Sequence, residues 1–303
     1  MKTRKIVLLA ACAVLLCVCI AQGVLAGRNP VRTAELSETP DSILIECGGA
    51  ETQLLLDGGS WYIGDSAFKV AAADMDAMLR NIREVKILDA VGRSGNEAAD
   101  DRYELDGGTA IAVSAVKDGA EIRSLKIGKA SSTGAQTYIT LDGGKDVLLV
   151  SGNLRSIFGK SIDDLKSKVV YSLDAEQISA VSSARGAAAW GVARADGDDG
   201  AAWTFTGTAA DVEIDAEKAD AWVQSLANLS VSSWLADDTA LPAEPEVSVT
   251  ITSGEGDVVV SVYKADDGGD TKYICTCSRT PHLFELSGYP AGKFRKTADE
   301  LAK

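Results

Sequence analysis

A single histidine, His282, is the whole imidazole supply of this 303-residue chain. Histidine-rich metal sites are thereby excluded, and any histidine-based catalytic triad has to be built on that one residue. Positive charge is also scarce. Lysine and arginine number 30 against 44 aspartate and glutamate, a net charge of −14. Three of those cations, Lys2, Arg4 and Lys5, stand in the first five residues, so the rest is more acidic still. Such a body repels polyanions, which argues against nucleic acid as a partner. Nucleophile-elbow (GxSxG), P-loop, dinucleotide (GxGxxG) and zinc-protease (HExxH) patterns are missing, as is any CxxC pair after residue 27. Composition is otherwise that of a folded globular chain, with 46% hydrophobic and 24% charged residues.

What is present begins with an export pattern. Lys2, Arg4 and Lys5 precede an uncharged run from Ile6 to Ala26. A basic start followed by an apolar stretch reads as a signal peptide, with Val24-Leu25-Ala26 as its small-residue cleavage site. The same 21 residues are also long enough to serve as a membrane anchor. Leu9-Ala10-Ala11-Cys12 offers a third reading, a lipoprotein box. All three predict that residues 27–303 lie outside the cytoplasm, and an uncleaved segment would tie the protein to the membrane. Cys12, Cys17 and Cys19 fall in the apolar run as small hydrophobes. Cys47, Cys275 and Cys277 belong to the body, and are expected to be buried free thiols, although a bridge from Cys47 to one of the other two is open.

Residues 27–41 read as a linker. From Ser42 onward the pattern is orderly. Residues 42–47, 52–57 and 60–64 alternate as strands. Ala72, Met75, Leu79, Ile82 and Val85 form an amphipathic helical stripe. Residues 109–116, 120–127, 136–141 and 145–150 follow as strands joined by Gly/Asp turns. The order then recurs. Strands at 178–184, 188–194 and 201–206 lead to a second stripe (Ala216, Ala219, Val223, Leu226, Leu229) that opens at the N-cap candidate Asp215. Strands at 246–252, 257–263, 271–277 and 282–286 complete it.

The two stretches align, with an offset of 144 around the helices (Ala72 on Ala216, Ile82 on Leu226) and 136 at the ends. Residues 151–165 and 287–301 share six of fifteen positions, where chance gives roughly one. The expectation is an α+β fold made by tandem duplication: a first unit at 42–169 and a second at 170–303, each an antiparallel sheet carrying one main amphipathic helix.

Candidate chemistry is thin. Ser66-Ala67-Phe68-Lys69 has the SxxK spacing of serine acyltransferases, in which a helical turn brings the amine to the hydroxyl, but SDN and KTG are absent. His282 with Glu285 nearby reads first as a surface or edge histidine. The acidic loops at 196–200 and 266–270 resemble calcium loops, yet Asp and Gly are also ordinary turn formers. Trp61, Trp190, Trp203, Trp222 and Trp234 could form a glycan platform, and their placement on repeated elements favours core packing. No catalytic, cofactor-binding or metal-ligating residue is assigned.

Trp61-Tyr62-Ile63 before the first helix, residues 72–88 as that helix, Tyr103-Glu104-Leu105-Asp106, Leu125-Lys126-Ile127-Gly128, Tyr138 and Glu244-Pro245 carry a resemblance. The sequence resembles the domain-of-unknown-function family 4340 of bacterial envelope proteins, over most of residues 42–303. It departs at Glu104 and Gly108, where that family tends to have Gly and Pro. The resemblance implies an anchored or exported protein without known catalytic residues, accessory to an ABC-type membrane transport system. The expected function is therefore a non-enzymatic extracytoplasmic module for binding or assembly, with possible ABC-transporter components as partners. The alternative is an extracytoplasmic binder of a glycan or cation; a hydrolase of envelope material using Ser66 and Lys69 ranks below both.

Overall fold

The computed structural model describes residues 14–20, 31–195, 202–236, 238–267 and 270–303. Residues 14–20 are helical, and among the described residues no helix is long and apolar enough to cross a membrane. The chain divides into two compact units, Met1–Lys166 and Ser167–Lys303.

The first unit is a nine-stranded antiparallel sheet. Its strands are β1 (Arg32–Glu35), β2 (Ser42–Cys47), β3 (Ala50–Asp57), β4 (Ser60–Ile63), β5 (Glu84–Arg93), β6 (Ile111–Lys117), β7 (Ala120–Ala130), β8 (Gln136–Leu141) and β9 (Asp146–Ser151). They lie side by side as β1-β5-β9-β8-β7-β6-β2-β3-β4. The hairpins β2–β3 and β3–β4 each turn on two glycines with positive φ, Gly48-Gly49 and Gly58-Gly59. That geometry matches the twist of the strands and is open to glycine at little cost. Helix α1 (Ala72–Arg83) covers one face. Met75, Met78 and Ile82 of α1 pack on the inward residues Ile43, Ile45, Leu54, Val113, Leu125 and Ile139, all buried. Three short helices complete the unit: α2 (Glu97–Tyr103), α3 (Leu154–Phe158) and α4 (Ile162–Leu165). Arg123 points from β7 into this core, 5% exposed. Its guanidinium donates to Ile82 O at 3.0 Å and lies 3.3 Å from Asp142. A cation is thus placed on an unsatisfied carbonyl at the C-terminal end of α1, where the helix dipole favours it.

The second unit holds an eight-stranded antiparallel sheet and a two-stranded one. Its strands are β10 (Val169–Ser172), β11 (Ile178–Arg185), β12 (Ala188–Ala195), β13 (Ala202–Gly207), β14 (Asn228–Ser230), β15 (Ser233–Trp234), β16 (Val247–Ser253), β17 (Val258–Asp267), β18 (Asp270–Cys277) and β19 (Thr280–Leu286). The larger sheet runs β13-β12-β11-β16-β17-β18-β19-β15, and β10 pairs with β14. Helix α5 (Ala216–Leu226) begins at Asp215, whose carboxylate accepts from the backbone N–H groups of Glu217 and Lys218. Trp222 of α5 stacks on Trp190 with centroids 5.3 Å apart. Helix α6 (Gly288–Phe294) follows β19.

These observations correct the expected α+β architecture. The chain is mostly β: among the described residues three antiparallel sheets of nine, eight and two strands carry it, and the helices are few and short. A unit organised around one main amphipathic helix is not what forms. The stripes that suggested it stop early, α1 at Arg83 and α5 at Leu226. Val85 and Ile87 continue the apolar pattern of α1, but Ile87 pairs with Val150 of β9 and with Arg32 of β1. Interstrand pairing therefore outcompetes helical propensity there. The expected linker at 27–41 contains β1 for the same reason.

Candidate functional site

The face of the nine-stranded sheet opposite α1 presents the alternate residues of the same strands. At one end it is covered by residues 94–110. Leu105 is fully buried there, and the Tyr103 ring packs on Tyr138 at 4.9 Å. Asn96 caps α2 by accepting from Ala99 N, and Asp106 accepts from Gly108 N and Thr109 N. Those two backbone bonds, Gly108 first, hold the Asp106 carboxyl below its ordinary range. Arg155 of α3 secures the end of the same segment by donating to Thr109 O at 2.7 Å and Gly128 O at 3.1 Å.

Beside this cover the sheet is open and forms a trough. Leu44 of β2, Ala112 and Ser114 of β6, and Ser124 and Lys126 of β7 line a cavity of about 420 Å³. Ser94-Gly95 and Gly143 to Lys145 are its walls, joined by a backbone bond from Ser94 N to Lys145 O of 2.7 Å. The β8–β9 turn is fixed to the floor, because Asp142 N donates to Ser124 O and Ser124 N donates to Asp142 Oδ1. A second cavity of about 480 Å³ shares Glu46, Ala112 and Lys126 with the first and reaches Cys47 and the β2–β3 turn. The trough thus runs across adjacent strands, with carboxylates at Glu46 and Glu121 and ammonium groups at Lys126 and Lys145. Ser114 donates to Glu121 at 2.6 Å, so the floor's polar groups are partly ordered in advance.

The family pattern "domain of unknown function (DUF4340)" matches residues 61–247. The chain belongs to that family. The DUF4340 match takes in strands β6 to β9 and both walls of the trough, whereas β2 and α6 fall outside it. No curated protein and no solved structure matches the chain.

The residues singled out in the sequence are dispersed. Ser66 and Lys69 do not share a helix: they lie in the non-helical segment after β4, where Ser66 Oγ donates to Ile63 O and Lys69 bridges to Tyr62. The helical turn that SxxK chemistry requires is therefore not formed. His282 is half-buried on β19 with its ring edge-on to Trp234, centroids 6.0 Å apart. Glu285, on the same strand, pairs with Ser233. The loop at 196–200 lies outside the described residues. At the other, Asp266 and Asp267 pair with Thr271 and Asp270 in the β17–β18 hairpin, and residues 268–269 lie outside. Among the described residues no group of three His, Cys, Asp or Glu is placed to hold a metal ion. Trp190, Trp203 and Trp222 are core residues of the second unit, and Trp61 and Trp234 pack against the cores of their own units. Cys275 and Cys277 are buried free thiols, whereas Cys47 is half-buried against the core of the first unit. Sequence reasoning did not single out the trough. Its signal was present in the polar positions of the alternating strands, Ser114, Ser124, Lys126 and Thr140, but alternation alone marks every solvent face.

Proposed function

We propose that the protein is a non-enzymatic extracytoplasmic accessory of an ABC-type membrane transport system, and that the trough on the nine-stranded sheet is its docking site for a partner segment. The observation that carries this reading is the trough itself. A hydrogen-bonded sheet floor, walls joined by a backbone bond and charges of both signs suit a polypeptide better than a small reactant. Family membership and the basic-then-apolar N-terminus support the setting. The test is affinity capture of the tagged full chain from mild-detergent extracts, read by mass spectrometry. Recovery of a permease and its ATPase, lost in the Lys126→Glu variant, supports the proposal. Recovery of the protein alone, or capture indifferent to Lys126→Glu, refutes it.

A further inference from the structure

The second unit holds a different concavity, between α5, α6 and the turn at Ala298–Glu300. Its volume is about 550 Å³. The floor is apolar, made by Ala221, Trp222 and Leu301. Trp222 is held there by donating its indole N–H to Lys293 O at 2.8 Å. Three ammonium groups, Lys218, Lys293 and Lys296, line it with one carboxylate, Glu300, and Lys218 is itself paired with Asp215 at 3.3 Å. In a chain of net charge −14 this is a local reversal of sign. Lys293 donates one proton to Ser225 O and Lys296 one to Glu300, at 3.3 and 3.4 Å. An ammonium carries three donors, so each keeps donors for a ligand.

Tyr289 lines it with 84% of its surface exposed, far more than any other large hydrophobic among the described residues of the second unit. Its ring lies 5.9 Å from Lys293 Nζ. An exposed aromatic ring stacks on the C–H face of a sugar ring, and the ammonium groups beside it complement negative charge. We propose that this concavity binds an anionic saccharide, with Tyr289 stacking on the pyranose and Lys293 and Lys296 holding its carboxylate or phosphate. The site is built from residues of the second unit alone.

The test is calorimetric titration of the full chain with a uronic-acid oligosaccharide, a sugar phosphate, the matching neutral oligosaccharide and inorganic phosphate. The two anionic sugars bind, the neutral one does not, and added salt weakens binding. Tyr289→Ala, at an exposed position, and Lys296→Gln, at a half-buried one, each weaken binding by about tenfold, whereas Lys126→Gln in the trough leaves it unchanged. Absence of binding by both anionic sugars overturns the proposal. So does equal binding of the neutral sugar, or binding that Tyr289→Ala does not weaken. Inorganic phosphate binding as tightly as the sugar phosphate also overturns it, because the pocket would then read charge and not a sugar.

Discussion

Gly128 of β7 passes beneath the main chain of Tyr103 so closely that a Cβ at residue 128 would lie 2.1 Å from Tyr103 O and 3.1 Å from a Leu105 methyl. This contact seats the covering segment 94–110 on the sheet and so sets one boundary of the trough. The Gly128→Ala variant is expected to lose about 1–3 kcal/mol, the usual range for overpacking a tight interior. Urea denaturation checks it. An unchanged midpoint would show that the segment lifts without cost.

Phe158, at the end of α3, is 1% exposed and closes the core under α1. Phe158→Ala should cost about 3–5 kcal/mol, combining lost transfer energy with the cavity left behind. Phe294, also 1% exposed, occupies the end of α6 in the second unit and should behave alike. Thermal melts of both variants test this, and a loss under about 1 kcal/mol would mean the site collapses around the smaller side chain.

Acid should destabilise the protein through bonded carboxylates. Asp106 is held low by Gly108 N and Thr109 N, and Asp41 by Asp118 N, both below the ordinary 3.8. A carboxyl with a lower pKa folded than unfolded stabilises the fold above its unfolded value. That contribution is lost as pH falls through the folded value. Melting temperature should therefore drop from about pH 5 downward, and less steeply in Asp106→Asn. Identical slopes for variant and parent would refute a role for Asp106.

The body's thiols should differ in reactivity. Burial pushes the Cys275 thiol up to about 12 and raises Cys277 as well, which suppresses the nucleophilic thiolate. Cys47 is only half-buried, at the edge of the first unit's core. Maleimide labelling of the folded protein should modify Cys47 and spare Cys275 and Cys277 until denaturant is added. Peptide mapping that finds Cys275 labelled first would contradict the burial described.

Much of the strand content was legible because it is local. Ser42–Cys47, Gln136–Leu141 and Val247–Ser253 alternate apolar and polar residues, and glycine pairs such as Gly48-Gly49 mark the turns between strands. Strand β5 was not legible. Its residues Val85, Ile87 and Leu88 prolong the spacing of α1, and only pairing with β1 and β9 makes them a strand. β1 itself, Arg-Thr-Ala-Glu, has no apolar pattern to announce it. Because such strands join the nine-stranded sheet from a distance, α1 is a smaller part of that unit than its stripe implied.

By itself the sequence determined the acidic surface, the single histidine, the basic-then-apolar start, the positions of most strands and the membership in DUF4340. These follow from composition and from side-chain periods of two or 3.6 residues, which act between near neighbours. Tertiary structure alone decided which strands lie side by side. It placed β2 against β6, so that Leu44 meets Ser114 across 70 residues of chain, and brought Trp222 of α5 over the α6 segment carrying Tyr289. The trough and the lysine-lined pocket exist only through those long-range pairings, because the chain closes such distances once a shared core repays the lost entropy.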